Sequence, residues 1–436
     1  MSPRPLPLRP DARHVEPTRR AATPGRAPRA HHLLAPLAAT LCLTACAQTP
    51  PALADLPLFQ IADLAFGGAF RLPTGDFGAS TIDYAEGPIA LGPDGGTLYV
   101  VGHAHQQAIA EFAIPPLGAG PAPADLPMAE APRQPFATVL DRATGGNPQA
   151  LDRIGGLLLV PGPDGPQLLI NAYVYYDAPG TVTHTTLVLR DPANLAGSPV
   201  DGPYAFEGGA GHTAGWLAPI PGGHRDALGG DHLTGHSSGI PIVSRASVGP
   251  SAFAFGAAAF DAPPGPIATT RLLDFDLAHP LHGDLDADGD NPLWTHLSRA
   301  TVGLIVPGSR TYLTLGHSGG HASGVCYKCT QSDGTVCGGY CARDADDVDA
   351  YAWAWDLLDL VAVREGRLAP HDVRPYAYGP LDLPHLGPER RIGGGAYDAE
   401  RDLLYLTALG ADDSQGPYAY APLVLALRVA GGGAPR

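Results

Sequence analysis

Five times along this chain the same phrase returns: an apolar run, a turn of Pro, Gly or Asp, a second apolar run, and a polar residue at the exit of most copies. The copies read Pro88-IALGPDGGTLYVVG-His103, Gly156-LLLVPGPDGPQLLINA-Tyr173, Gly215-WLAPIPGGHRDALGGD-His232, Gly303-LIVPGSRTYLTLG-His317 and Gly395-AYDAERDLLYLTA-Leu409. Each has the composition of a β-hairpin, Leu, Val, Ile and Tyr on either side of a turn. The intervals are too long for a solenoid and carry no helical period, so the repeat predicts blades set around an axis. In such a ring, residues at equivalent strand ends meet on one face or in the central channel. The repeat therefore constrains where chemistry sits before it says what the chemistry is.

Of 436 residues, 44% are hydrophobic and 16% charged, with 56 Gly and 47 Pro, which suits a packed, turn-rich all-β chain rather than disorder. The length accommodates five blades of about four strands each, with a sixth assembled from the two termini as the alternative. The blades are expected to begin near Ala65, Phe136, Gly202, Thr270 and Pro375, over a domain spanning 59–430. Residues Pro115–Pro135 read as an irregular linker, and Trp355-DLLDLVAVREG is the one helical stretch.

The first 45 residues carry seven Arg against two acids and end in the apolar LLAPLAATLCLTA, too short to span a bilayer. Leu43-Thr44-Ala45-Cys46 resembles the bacterial lipobox, in which the Cys is acylated and becomes the mature N-terminus. The expected organisation is a signal peptide over 1–45, a tether over 46–58 and a lipid anchor on Cys46, placing the protein outside the cytoplasm on a membrane, in the periplasm or at the cell surface. Without the leader the chain holds 20 basic and 41 acidic residues, a balance that repels phosphate backbones and excludes nucleic acid as a partner.

Four cysteines stand together as Cys326-YK-Cys329 and Cys337-GGY-Cys341. Their spacing allows a four-thiolate zinc site, but an exported chain meets an oxidising compartment, which favours two disulfides of open connectivity pinning a long loop. Asp284-L-Asp286-A-Asp288-Gly289-Asp290 alternates carboxylates before a Gly, the pattern of a Ca²⁺ loop, although Thr295 stands where an EF-hand places its bidentate Glu. A solvated acidic turn is the competing reading.

Aligning the hairpins by their turns brings His103, Tyr173, His232 and His317 to one mouth, with His105, His236 and His321 close behind. Three imidazoles there suit a divalent metal, while blade packing is the plainer role for them. Gly235-HSS-Gly239 and Gly316-HSG-Gly320 match G-x-S-x-G, with Ser237 and Ser318 at its centre, but neither has the strand–turn–helix context of a nucleophile elbow. Tyr173, Tyr175, Tyr351, Trp353 and Trp355 offer rings for stacking sugars or for packing between blades, and Asp83, Glu86, Asp177 and Glu207 are the carboxylates nearest the expected mouth.

From about residue 60 to 430 the chain resembles β-propellers, and with its leader it is similar to exported bacterial propeller lipoproteins. The resemblance implies an all-β, five-bladed fold and a function at the channel mouth. The expected role is binding of a glycan, a small molecule or an envelope protein. The rival is an enzyme at the same mouth: a metal-dependent hydrolase, lyase or oxidoreductase, or a glycosidase.

Overall fold

Strand pairing in the computed structural model, which describes residues 51–429 apart from 178, 238–246, 263–264, 290 and 417, resolves the repeat into five four-stranded antiparallel sheets. The leader, Cys46 and Asp290 lie outside the described residues. The first strand, β1 (Leu64–Arg71), precedes the first hairpin. Blade one is β2 (Ile89–Leu91), β3 (Thr97–Val101), β4 (Ala108–Ala113) and β5 (Gln134–Thr138). Blade two is β6 (Arg153–Gly162), β7 (Gly165–Tyr173), β8 (Thr186–Leu189) and β9 (Val200–Tyr204). Blade three is β10 (Leu217–Pro219), β11 (His232–Thr234), β12 (Ala252–Phe255) and β13 (Thr269–Leu273). Blade four opens with β14 (Arg299–Ile305) and β15 (Thr311–Gly319), is interrupted by the cysteine hairpin β16 (Val325–Tyr327) and β17 (Tyr340–Ala342), and resumes with β18 (Val348–Asp356) and β19 (Ala377–Pro380). Blade five is β20 (Ile392–Asp398), β21 (Leu403–Asp412) and β22 (Ala421–Val429), with β1 as its outer strand.

The inner strands β2, β6, β10, β14 and β20 each touch the next, and β20 returns to β2. The fold is a five-bladed β-propeller. The two termini complete the fifth blade rather than adding a sixth: β1 pairs with β22 from Leu64↔Val429 to Arg71↔Leu423. The blade starts expected from sequence stand one strand early throughout. Gln134–Thr138, Val200–Tyr204, Thr269–Leu273 and Ala377–Pro380 are the outer strands of blades one to four, not the first strands of the following blades. A strand's alternation marks its two faces but not which sheet edge it joins. The Pro115–Pro135 linker is largely irregular, and Gly118 and Met128 bridge to Ala69 and Arg71 on the outer edge of blade five.

The core is five sandwiched layers, one at each blade interface. Leu98 and Val100 pack with Tyr405 and Val424, Tyr99 and Ile109 with Leu168 and Leu187, and Leu169 and Val188 with Leu217 and Phe255. Leu233 and Leu272 meet Trp353 and Trp355, while Leu313 and Leu315 meet Leu404 and Leu425. Both faces of every middle strand are therefore buried, which is why these hairpins read as nearly continuous apolar runs. Trp353 and Trp355 are fully buried, so these two rings pack between blades. The expected helical stretch forms a helix over Leu357–Arg364, its first turn capped by Asp356, which accepts from the Leu358 N–H at 3.0 Å.

Glycine lets the inner strands close on the axis. A Cβ on Gly156 would stand 2.2 Å from the Gly215 carbonyl oxygen, and one on Gly394 would stand 2.5 Å from that of Gly87. Any side chain at either place would push two blades apart.

Candidate functional site at the channel mouth

Each blade is stitched to the next where the inner strands begin. Gln107 Oε1 accepts from the Ile154 N–H at 2.6 Å, and Asn171 Nδ2 donates to the Gly215 carbonyl at 2.9 Å. Ser237 Oγ accepts from the Ala300 N–H at 2.8 Å, and the Thr407 hydroxyl donates to the Gly87 carbonyl at 2.8 Å. In blade four the equivalent place belongs to His317, whose imidazole lies against the Ile392 backbone. These bonds satisfy backbone groups that the glycine-rich strand starts would otherwise leave unpaired. They also hold the mouth rigid.

Inside this ring is a cavity of about 20 Å³, lined among others by Glu86, Tyr173, Trp216, His236 and Arg299. That is room for one small polar group. Its floor is Trp216, wedged where Cβ atoms on Gly235 and Gly303 would come within 2.5 and 2.2 Å of the indole. The indole N–H donates to Tyr312 Oη at 2.9 Å, and that hydroxyl donates to the Ser251 carbonyl at 3.1 Å.

Arg299 Nη2 donates to Tyr173 Oη at 3.0 Å, and the Tyr173 ring lies 5.2 Å from that of His236. Among the described residues no carboxylate oxygen lies within 4.0 Å of the Arg299 guanidinium. Arg153 is better matched: its Nε stands 3.3 Å from Glu86 Oε2, and its guanidinium lies 4.9 Å over the Tyr175 ring. Four buried polar atoms at this mouth find no aligned hydrogen-bond partner among the described residues: Glu86 Oε2, Arg153 Nε, His236 Nε2 and His317 Nδ1. Burial, reinforced by Arg299 and His212, pulls His236 down to about 3. Burial with Arg391 and Arg299 does the same to His317, against the Ile392 backbone. Both imidazoles are neutral at ordinary pH, so each offers one donor and one acceptor. Burial raises the Tyr173 phenol, with Arg299 opposing, and keeps it protonated. The wall therefore presents a cation, a hydroxyl, one neutral imidazole and one carboxylate to a group the size of a ligand's head.

Of the residues expected at the mouth, His103, Tyr173 and His317 are there: they pair with Ala85, Arg153 and Arg299 at the start of their blades. His232 is not. It opens β11 opposite Pro219, at the far end of the channel, beside Asp231 at 2.7 Å. The insertion between Pro219 and His232 folds into short helical turns, so the hairpin's exit falls four residues later and His236 takes the mouth position. Glu86 is one of the four carboxylates nearest the expected mouth, whereas Arg299 has no local pattern that would single it out. The other three carboxylates are occupied or remote from the cavity lining. Asp83 accepts from the Thr81 hydroxyl at 3.0 Å, Asp177 from the Thr181 N–H at 3.0 Å, and Glu207 is exposed between blades two and three.

Among the described residues, the one group of three His, Cys, Asp or Glu with mutually close ligand atoms is Cys326, Cys329 and Cys341. The mouth histidines form no such group. Asp284, Asp286 and Asp288 diverge: Asp284 accepts from the Gly289 N–H at 3.0 Å, Asp286 faces His296 at 3.7 Å and Asp288 faces Arg343 at 3.4 Å. In the cysteine hairpin Cys326 lies at bonding distance from Cys329, and Cys337 from Cys341. The hairpin rises from the mouth-side end of blade four and packs on the aspartate loop, Val325 N–H donating to the Asp286 carbonyl at 2.7 Å. Ser318 Oγ stands 2.7 Å from His321 Nε2, a nucleophile-to-base distance, but it is buried, touches Ser298 Oγ at 2.6 Å and faces no described cavity.

Below Trp216 the channel widens into a second cavity of about 490 Å³ whose lining is mostly Leu, Ile, Val and Pro, with Arg225 its one charged residue. Its lining offers few groups to orient a ligand. Convergent polar chemistry belongs to the mouth.

No family model and no curated protein matches the chain. Among solved structures it is similar to an exo-1,5-alpha-L-arabinanase from a bovine ruminal metagenomic library, at 8% identity and a TM-score of 0.36 over 80% of this chain and 95% of that one. It is similar to an ancestral GH74 enzyme at 11% identity and a TM-score of 0.33, over 85% of this chain and 52% of the enzyme. Hydrazine synthase of Kuenenia stuttgartiensis follows at 11% and 0.26, over 79% and 84%. Likenesses this distant carry no reaction over to this chain.

Proposed function

We propose that this chain is a binding protein whose ligand enters the propeller mouth and seats one polar group between Arg299, Tyr173, His236 and Glu86. The observation that carries the reading is the pair of buried polar atoms on that cavity without aligned partners among the described residues, His236 Nε2 and Glu86 Oε2. Buried polar atoms are paired in native proteins, and an unpaired one costs free energy that a ligand can recover. A paired-carboxylate glycosidase needs two acids across the pocket, and among the described residues Glu86 is the one acid lining this one. Binding is therefore preferred to catalysis.

The lipid anchor belongs to the same proposal. Arg310, at the turn between β14 and β15 remote from the mouth, donates through its backbone N–H to the Pro57 carbonyl and through its side chain to that of Ala54. An acylated Cys46 would hold the chain at a membrane, where its ligand would be a glycan, a small molecule or an envelope protein.

The test is a thermal-shift screen of the purified chain against saccharides, small carboxylates, amines and peptides, repeated with His236→Leu. A ligand that raises the melting temperature of the native chain but not of the variant supports the reading. A ligand bound equally by both places the function elsewhere. Labelling with a fatty-acid analogue, with and without Cys46→Ser, tests the anchor.

A further inference from the structure

Among the described residues no carboxylate oxygen stands within 4.0 Å of the Arg299 guanidinium, and Glu86, on the same cavity, attracts it only from further off. The side chain is half-buried in the channel wall, and of its five N–H donors only Nη2 has a described partner, the neutral Tyr173 hydroxyl at 3.0 Å. Glu86 lies on the same cavity but is engaged by Arg153 at 3.3 Å. A half-buried cation with free donors facing a cavity is a ready partner for an anion that enters it. The guanidinium fork matches a planar carboxylate in two parallel hydrogen bonds, and a cavity of about 20 Å³ admits one such group. The remaining partners suit what adjoins the carboxylate in a sugar acid. His236 Nε2, on a side chain only 4% exposed, can meet a ring hydroxyl, and Glu86 Oε2 can accept from another.

Two exposed tyrosines stand two residues from the cavity-lining Glu86 and Tyr173. Tyr84, 48% exposed, stands two residues before Glu86 and stacks on Tyr420 with ring centroids 5.2 Å apart. Tyr175, 39% exposed, stands two residues after Tyr173 and is braced by the Arg153 guanidinium. Rings fixed at a pocket edge, apolar on their faces, are suited to the C–H faces of a pyranose. Resting on the binding reading above, we infer that the mouth recognises an acidic sugar, with the uronate carboxylate on Arg299 and the sugar ring against Tyr84 and Tyr175.

The test is titration calorimetry of the native chain with galacturonate and glucuronate, as monosaccharides and short oligomers, against galactose, glucose, glycolate and a sulfated galactose. Uronates should bind about 10- to 150-fold more tightly than their neutral counterparts, the range expected for hydrogen bonds to a charged group. Arg299→Met should abolish that preference, while Arg299→Lys, which keeps the charge and loses the fork, should retain part of it. Tyr84→Ala, at an exposed site that leaves the fold intact, should weaken uronates and leave glycolate unchanged. Equal affinity for uronate and neutral sugar, with His236→Leu still abolishing both, overturns the acidic assignment and leaves the binding reading standing. Glycolate bound as tightly as uronate, or a preference for the sulfated sugar, also overturns it. Failure of every compound to bind overturns this inference, and the binding reading itself falls if the broader screen is also silent.

Discussion

Arg299 opens the inner strand of blade four, Tyr173 closes the second strand of blade two, and across 126 residues of sequence they meet at 3.0 Å in the propeller mouth. Tyr173 also borders His236 of blade three, so three blades share one cluster around the axis.

Tyr173→Phe removes the only described acceptor of the Arg299 guanidinium and leaves its ring packing in place. Unfolding in urea should show a loss of about 1–3 kcal/mol, the cost of leaving a buried donor unsatisfied. A variant as stable as the native chain would mean that water already serves Arg299.

Asn171 is fully buried and its amide donates to the Thr213 and Gly215 carbonyls at 2.8 and 2.9 Å, joining blade two to blade three. Asn171→Leu keeps the volume, orphans the Gly215 carbonyl and leaves the Thr213 carbonyl to the Thr234 hydroxyl alone, so the same measurement should register a loss of about 1–3 kcal/mol. The exposed Asp164→Asn, in the turn between β6 and β7, serves as the neutral control.

At the closure of the ring, Arg71 of β1 reaches Asp412 of β21 at 2.8 Å, and the Asp412 carboxylate is fully buried. Burial raises that carboxyl, but Arg71, Ser414 and Gln415 together outweigh it and hold the group below its usual range. Arg71→Met would leave the charge buried and uncompensated, with an expected loss of about 3–5 kcal/mol. A smaller loss, below 1 kcal/mol, would show that Ser414 and Gln415 suffice.

His236 and His317 are each pulled from 6.5 to about 3 by burial. In the unfolded chain both take up a proton near their ordinary value, whereas in the fold they do not. Stability is therefore complete above about pH 6.5 and falls as pH drops towards 3, by up to about 1.4 kcal/mol per pH unit for each imidazole. His236→Leu should remove that imidazole's share of the slope in denaturant titrations between about pH 6.5 and 4.5, leaving the shares of His317 and of the other lowered histidines, His103, His232 and His296. An unchanged slope would show that His236 charges freely in the folded state.

Much of this was legible in the residues alone. Runs such as Leu157-LLV and Leu403-LYLT carry enough apolar surface on both faces to demand burial between two neighbours, and five such hairpins leave a ring as the economical solution. The mouth was legible through His103, Tyr173 and His317, because the exit of a hairpin's second strand returns beside the start of its first. His236 was one insertion away from being placed, since the length of the turn at Pro219–Asp231 shifts the register without changing its composition.

What the chain determines by itself is therefore local: which segments extend, where they turn, and which faces must leave water. Tertiary structure decided the rest. Whether Gln134–Thr138 edges one blade or starts the next depends on which neighbour offers unpaired backbone groups, and that is a property of the assembled sheet. Arg299 gains its meaning only when the ring closes, because its neighbours Tyr173, His236 and Glu86 come from other blades and none is adjacent to it in sequence.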